Sequence, residues 1–171
     1  MTTLEIRLIG AKAAGRVTII DADDYGLVIP HRWRIREKVR PEGHTWGPYA
    51  VTDLKTKVPG STNFGMHSLI TGWPLVDHAN GNGLDNRRSN LRPATIAQNS
   101  QNRRPPVGGS SKFKGVCWNR VSQKWQAGIK INGKSHYLGL FVAEIDAANA
   151  YDEAALEAYG EYAYLNFPAV A

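Results

Sequence analysis

Asp77 and His78 stand side by side after an apolar step, Leu75-Val76, and Asn90 and Asn99 follow twelve and twenty-one residues beyond His78. An imidazole with a reference pKa of ~6.5 can take a proton from water near neutral pH. A carboxylate and an amide oxygen are hard donors that suit Mg²⁺ or Mn²⁺. Together these types suit cleavage of a phosphodiester, which needs an activated water, relief of charge on the phosphoryl oxygens and stabilisation of the leaving oxygen. Two protein ligands suffice when phosphate oxygens and water complete the shell, so tight metal binding without substrate is not expected.

The elements that must hold these residues are legible around them. Leu75-Val76 predicts a short strand ending at Asp77-His78, and the Gly- and Asn-rich run Asn80-Gly81-Asn82-Gly83 predicts a loop. Asn80, Asn82 and Asn86 read as loop-forming residues. Thr95 with Gln98 three residues later has the spacing of a capping box, so a helix starts there and carries Asn99 and Asn102 on one side. Upstream, Leu4, Ile6 and Leu8 alternate with Glu5 and Arg7, and Val17 and Ile19 repeat the pattern, which predicts strands with those residues inward. Asp21 to Asp24 predicts a short helix start. Trp33, Ile35 and Lys38 oppose Arg32, Arg34 and Arg36 on another strand, whose basic face is either a phosphate-contacting surface or the wet side of a sheet. Residues 49–51 and 65–70 are further strand or short-helix candidates, and His67 is expected to support the fold. His31, His44 and His136 carry no spacing signal.

Arg103-Arg104-Pro105-Pro106-Val107-Gly108-Gly109-Ser110-Ser111 lacks any hydrophobic period and reads as a linker, dividing the chain into 1–102, a linker at 103–111 and a second module at 112–168. In that module 113–118, 124–131 and 135–139 read as three strands, with a tight Asn132-Gly133 hairpin. A helix follows over 142–159, stopped by Gly160. Its Ala148, Tyr151, Ala155 and Tyr159 form one stripe. The expected class is α+β.

Charge says which face of this module meets a partner. The 171-residue chain carries a net charge of +6, and from Asn86 to Ala143 it has no Asp or Glu, while residues 144–171 hold six acids and no Lys or Arg. The acid-free stretch includes Arg87, Arg103, Arg104, Lys114, Arg120, Lys124 and Lys130. A one-sign stretch of this kind fits a phosphate backbone, so double-stranded DNA is the expected partner, offered the basic sheet while the acidic helix lies behind it. A lone Cys117 excludes an internal disulfide and a zinc site built from several thiolates, so no structural zinc is expected. No apolar run approaches the ~18 residues that span a membrane. A cytoplasmic protein without a membrane or small-molecule cofactor is expected, acting as a monomer.

Two likenesses sharpen these expectations. Met66-His67, Asp77-His78, Asp85-Asn86-Arg87, Asn90-Leu91 and Asn99, a motif within 66–102, resemble the His-Asn-His (HNH) homing endonucleases of phages. The resemblance implies a ββα-metal nuclease module in which His78 is the general base, Asp77 and Asn99 hold one divalent metal, and Asn90 braces the loop that orients His78. Ser68 replaces a frequent Arg, and Pro93 a frequent aromatic. Phe113-Lys114-Gly115-Val116, Lys124-Trp125, Tyr137-Leu138-Gly139, residues 147–152 and Leu165-Asn166-Phe167-Pro168 resemble the plant ethylene-response-factor (Apetala-type) DNA-binding domain. That implies a three-stranded antiparallel sheet packed on one helix and reading the major groove, with contacts at Lys114, Lys130, Tyr137 and Tyr151. Cys117 and Gly128 stand where that family has a second Arg and a Glu, so a different sequence preference is expected. The combined reading is a metal-dependent, homing-type DNA endonuclease. The second reading is a non-enzymatic DNA-binding transcriptional regulator with a decayed nuclease module, against which the intact Asp77, His78, Asn90 and Asn99 weigh.

Overall fold

In a computed structural model the described residues are 2–39, 45–53 and 64–168, and they form an α+β protein of small antiparallel sheets and short helices. The side chain of Lys38 and all of His44 lie outside the described residues. The chain divides into two compact units, one of described residues up to Asn99 and one of those from Ser100 onward.

The first unit opens with a hairpin of β1 (Thr3–Arg7) and β2 (Val17–Asp21), in the register Leu4 to Ile20 and Ile6 to Thr18. A single turn of 3₁₀ helix at Ala22–Asp24 leads into α1 (Tyr25–Val28), as the Asp run predicts. β3 (Arg34–Val39), β4 (Thr45–Thr52) and β5 (Phe64–Gly65) form a second sheet, followed by α2 (Met66–Thr71). Trp33 and Ile35 are buried while Arg32, Arg34 and Arg36 are exposed, as their alternation predicts. The core gathers Leu8, Ile20, Val28, Trp33, Ile35, Met66, Ile70 and Leu91.

One expectation about this unit is corrected. In β2 it is Thr18 and Ile20 that are fully buried, while Val17 and Ile19 are half-buried. A hydroxyl can occupy the inner face because it is satisfied there: Thr18 Oγ1 donates to the Leu84 carbonyl at 2.7 Å.

β6 (Val76–His78) and β7 (Leu91–Pro93) pair antiparallel, Asp77 opposite Arg92 and His78 opposite Leu91, and α3 (Ile96–Gln101) follows. The capping box forms as its spacing predicts, with Gln98 N donating to Thr95 Oγ1 at 3.2 Å and Thr95 N to Gln98 Oε1 at 2.7 Å.

In the second unit β8 (Val116–Asn119), β9 (Lys124–Ile131) and β10 (Lys134–Phe141) form a three-stranded antiparallel sheet with β9 in the centre. α4 (Glu144–Tyr159) packs on it and buries Ala147, Ala148, Tyr151 and Ala155, the small-residue stripe read from the sequence. The Asn132-Gly133 turn has φ of 50° and 81°, the left-handed pair a two-residue hairpin requires. The first strand is shorter than the predicted 113–118. Gly115 turns at φ 77°, and the Val116 amide bonds the Phe113 carbonyl, so the regular register begins at Val116, with Gly115 accepting one further bond from Gly128 N at 2.9 Å.

Candidate nuclease centre and DNA-facing sheet

Three predicted residues meet on the 76–91 hairpin. Asp77 and His78 are neighbours in β6 and both are buried, 6% and 5% exposed. Asn90 lies at the far end of the connecting loop and does bracing work that can be traced atom by atom. Its Oδ1 accepts from Asn80 N at 2.9 Å, and its Nδ2 donates to the Asp85 carbonyl at 2.7 Å. The amide thereby ties both limbs of the loop that leaves His78. Asp85 tightens the same loop, accepting from Asn80 Nδ2 at 2.8 Å and from Arg87 Nε and Nη2 at 2.7 and 2.6 Å. The Arg87 guanidinium holds the Asp85 carboxyl below its ordinary range. Arg87, expected at a phosphate, is therefore paired within its own loop.

The orientation of His78 comes from residues that the sequence reading treated as loop or strand filler. His78 Nε2 lies 3.3 Å from Asn86 Oδ1. Asn86 is fully buried, and its Nδ2 donates to Thr18 Oγ1 at 2.8 Å. The Thr18 hydroxyl has one hydrogen, and that hydrogen goes to the Leu84 carbonyl. Thr18 must therefore accept from Asn86, so Asn86 turns its oxygen to His78. Nε2 of His78 is then the N–H nitrogen and Nδ1 carries the accepting lone pair. Backbone bonds from Ile19 N to Leu84 O at 2.9 Å and from Asn86 N to Ile19 O at 2.8 Å fix the loop to β2. A polar residue inside an otherwise apolar strand was the signal that could have marked Thr18.

Burial holds the His78 imidazole below its ordinary value, against the opposing pull of the Asn86 hydrogen bond and the charges of Asp77 and Asp85. His78 is thus neutral, and able to accept a proton, at neutral pH. His67 lies edge-on to it with ring centroids 5.1 Å apart, and Tyr49 stands 5.8 Å from His67 and 5.7 Å from His78.

Burial, followed by the nearness of His78, pushes His67 down to about 3, and among the described residues its Nδ1 has no hydrogen-bond partner. A group whose folded pKa is depressed below ~6.5 is protonated first in the unfolded chain. Its contribution to stability is complete above pH 6.5 and falls as the pH drops toward 3. Acidification from pH 7.5 to 5 is expected to cost the first unit about 2 kcal/mol through His67 alone. Urea unfolding at both pH values should show a clearly smaller loss in His67→Gln; equal losses would place the effect elsewhere.

The remaining predicted ligand, Asn99, sits on α3 and donates from Nδ2 to the Val76 carbonyl at 3.4 Å, which points the other end of its amide away from that bond. Asp77 Oδ2 accepts from Arg92 Nε at 2.9 Å and from Nη2 at 2.6 Å. Among the described residues no three His, Cys, Asp or Glu side chains group in a way that could hold a metal. One carboxylate and one amide, on neighbouring elements, form an oxygen set too small to enclose a cation. It fits an ion that keeps water and substrate oxygens, which is the behaviour of Mg²⁺. Arg92, a further basic residue of the acid-free stretch, pairs with the Asp77 carboxylate.

In the second unit the outer sheet face carries the exposed Lys124, Lys130 and Tyr137, with Arg120 exposed in the β8–β9 turn. Arg103 and Arg104 are exposed ahead of the sheet. Lys114 is placed differently. Its Nζ is held by the carbonyls of Gln101 and of Arg103, the latter at 2.8 Å, and burial lowers it to about 8. Tyr151 is only 3% exposed, with its ring in the core beneath Gly115. The segment read as a linker also bonds back onto its unit: Trp118 N donates to Ser110 Oγ at 2.8 Å and Phe113 N to Ser111 Oγ at 2.9 Å.

Similarity to known proteins is of two kinds. The chain is 27% identical over 161 residues to a mimivirus protein (Acanthamoeba polyphaga mimivirus) described as an uncharacterized HNH endonuclease, a match over 91% of this chain and 77% of that one. It is 40% identical over 96 residues to the AP2-like ethylene-responsive transcription factor TOE2 of Arabidopsis thaliana, covering 56% of this chain and 19% of the plant protein. It is 34% identical over 61 residues to Protein 3.8 of Escherichia phage T7, spanning 36% of this chain and half of the phage protein. No protein-family model matches the chain, and no solved structure does. These distant similarities support a DNA-binding, nuclease-like protein. No helix among the described residues is long and apolar enough to cross a membrane.

Proposed function

We propose that the chain is a metal-dependent HNH-type endonuclease that hydrolyses phosphodiester bonds in double-stranded DNA, with the β6–β7–α3 segment as its ββα-metal module and the second unit as its DNA-targeting domain. The observation that carries this reading is the Thr18–Asn86–His78 relay, which fixes Nε2 of His78 as the N–H nitrogen and leaves Nδ1 as the acceptor, next in chain to the Asp77 carboxylate.

In this mechanism His78 Nδ1 takes the proton of the attacking water. Asn86 accepts the Nε2 hydrogen and stabilises the imidazolium as it forms. Asn90 keeps the loop from drifting, so that the base holds its position relative to the scissile phosphate. Asp77 and Asn99 would hold one Mg²⁺ or Mn²⁺, which relieves charge on the phosphoryl and leaving oxygens when bound. Arg92, on Asp77, adds a fixed positive charge beside the same phosphate. A single centre in a monomer gives a nick; a second strand needs a second visit. The exposed cations of the sheet supply salt-dependent affinity for the DNA backbone.

Supercoiled plasmid incubated with the protein should convert to the nicked circle in Mg²⁺ or Mn²⁺ and remain supercoiled in EDTA. Binding without cutting in either metal, across several DNA sources, would favour the non-enzymatic regulator.

A further inference from the structure

The sheet of the second unit contains a side-chain relay that fixes which end of one amide faces outward. Asn119 Oδ1 accepts from Val121 N at 3.0 Å and from Ser122 N at 3.1 Å. Backbone N–H groups can only donate, so the oxygen of Asn119 is identified by its partners without ambiguity. Its Nδ2 must then face the other way, where it donates to Gln126 Oε1 at 3.0 Å. Gln126 is thereby oriented too: its oxygen is engaged, and its NH₂ group is the end left to present. Among the described residues Gln126 Nε2 makes no hydrogen bond of its own.

Gln126 stands on the outer face of the central strand, between its register partners Cys117 and Leu140, and half-buried. It borders a shallow depression floored by Gly115 and Gly128 and flanked by Lys130 and Tyr137. Gly128, on the outer face, keeps the floor low, so a flat group can approach the amide between the two flanking side chains.

We propose that Gln126 is a base-reading residue that selects guanine through its NH₂ group, and that Asn119 is the positioning residue that sets this choice. The proposal rests on the second unit being the DNA-binding unit. An unconstrained glutamine offers both an oxygen and an NH₂ and pairs with adenine N6 and N7. With Oε1 turned toward Asn119 Nδ2, the NH₂ group is the end presented and that bidentate pairing is disfavoured. Guanine presents two adjacent major-groove acceptors, O6 and N7, whereas cytosine presents an amine that would oppose the NH₂ group. A sequence preference thus follows from a hydrogen bond made by the β8–β9 turn rather than from the reading residue alone.

The test is selection from a randomised duplex library by the full chain in EDTA, so that cutting does not distort the pool. Wild type is expected to yield a motif with guanine enriched at one position, and Gln126→Ala to lose about tenfold of discrimination at that position only. Asn119→Asp keeps the acceptor for Val121 and Ser122 but can no longer donate. Gln126 must then turn its NH₂ inward, and the preferred base should change from guanine to one bearing an exocyclic amine, cytosine or adenine. Gln126→Glu, which leaves the turn untouched, should select cytosine at the same position. A motif that Gln126→Ala leaves unchanged, or a sensitive position whose preferred base is not guanine, overturns the proposal while DNA binding by the sheet stands. Failure of the wild type to bind any duplex overturns the DNA-binding reading and the proposal with it.

Discussion

Replacing His78 with alanine is expected to slow plasmid nicking by about 10²–10⁴-fold, the range a positioned general base contributes, with DNA affinity unchanged. The separation of the two effects follows from burial and charge. His78 is 5% exposed and held neutral, so it adds nothing to the electrostatic attraction between protein and phosphate backbone. Single-turnover cleavage and a gel-shift titration in EDTA measure the two quantities independently. Equal loss of both would show that His78 is a structural residue. Asn86→Ala gives the sharper version of the experiment, because it leaves the imidazole in place and removes what sets its tautomer. A loss of about 10–100-fold is expected if orientation matters here as it does for metal-ligating histidines held by an outer hydrogen-bond partner. A thermal melt checks that the cavity left at Asn86 has not unfolded the unit.

The largest expected effect on stability lies at Gly115. Its φ of 77° is one that side chains with a Cβ adopt only under strain. A Cβ there would lie 1.9 Å from Tyr151 Cδ2, 2.5 Å from Cε2 and 2.7 Å from Cγ. Tyr151 is a buried aromatic between α4 and the sheet and cannot withdraw without opening the core around Ile129 and Ala155. Overpacking of a well-filled site, added to left-handed strain, predicts that Gly115→Ala destabilises the second unit by roughly 3 kcal/mol or more. Denaturant unfolding followed by Trp118 and Trp125 fluorescence reports on that unit. A change within about 0.5 kcal/mol, the range of an ordinary surface substitution, would mean that Tyr151 does not sit under the β8 lead-in.

Much of this molecule was legible because its signals are local. The capping box at Thr95 and Gln98, the Asn132-Gly133 hairpin and the alanine stripe of α4 each need only neighbours in sequence, and each forms. Asp77, His78, Asn90 and Asn99 were singled out by type and offset, and the structure brings the first three together on one hairpin. What sequence reading missed depends on partners far along the chain. Thr18 and Asn86 are 68 residues apart, and nothing near either reveals that they bond. The inward face of β2 was misjudged for the same reason, since alternation reports apolarity and a satisfied hydroxyl has none. Lys114 and Tyr151 were placed at DNA by likeness. The ammonium of Lys114 instead closes two carbonyls ahead of the sheet, and the ring of Tyr151 fills the space that Gly115 leaves. Asn166 was quoted only as part of a resemblance. It bonds both backbone groups of Lys114 and takes its own support from Asp152, so one of the acids on α4 is a structural clamp.

The attachment of the 79–90 loop to β2 has a consequence for how the proposed nuclease motif can be moved between proteins. All the chemistry-bearing types fall between Asp77 and Asn99, which invites transplanting that stretch alone into another scaffold. The transplant would carry the base without its compass: Thr18, Ile19 and the strand they belong to would stay behind. The portable piece is therefore discontinuous, the hairpin of β1 and β2 together with the segment from Phe64 to Gln101. A hybrid enzyme assembled from the contiguous motif would keep its ligands and lose its acceptor.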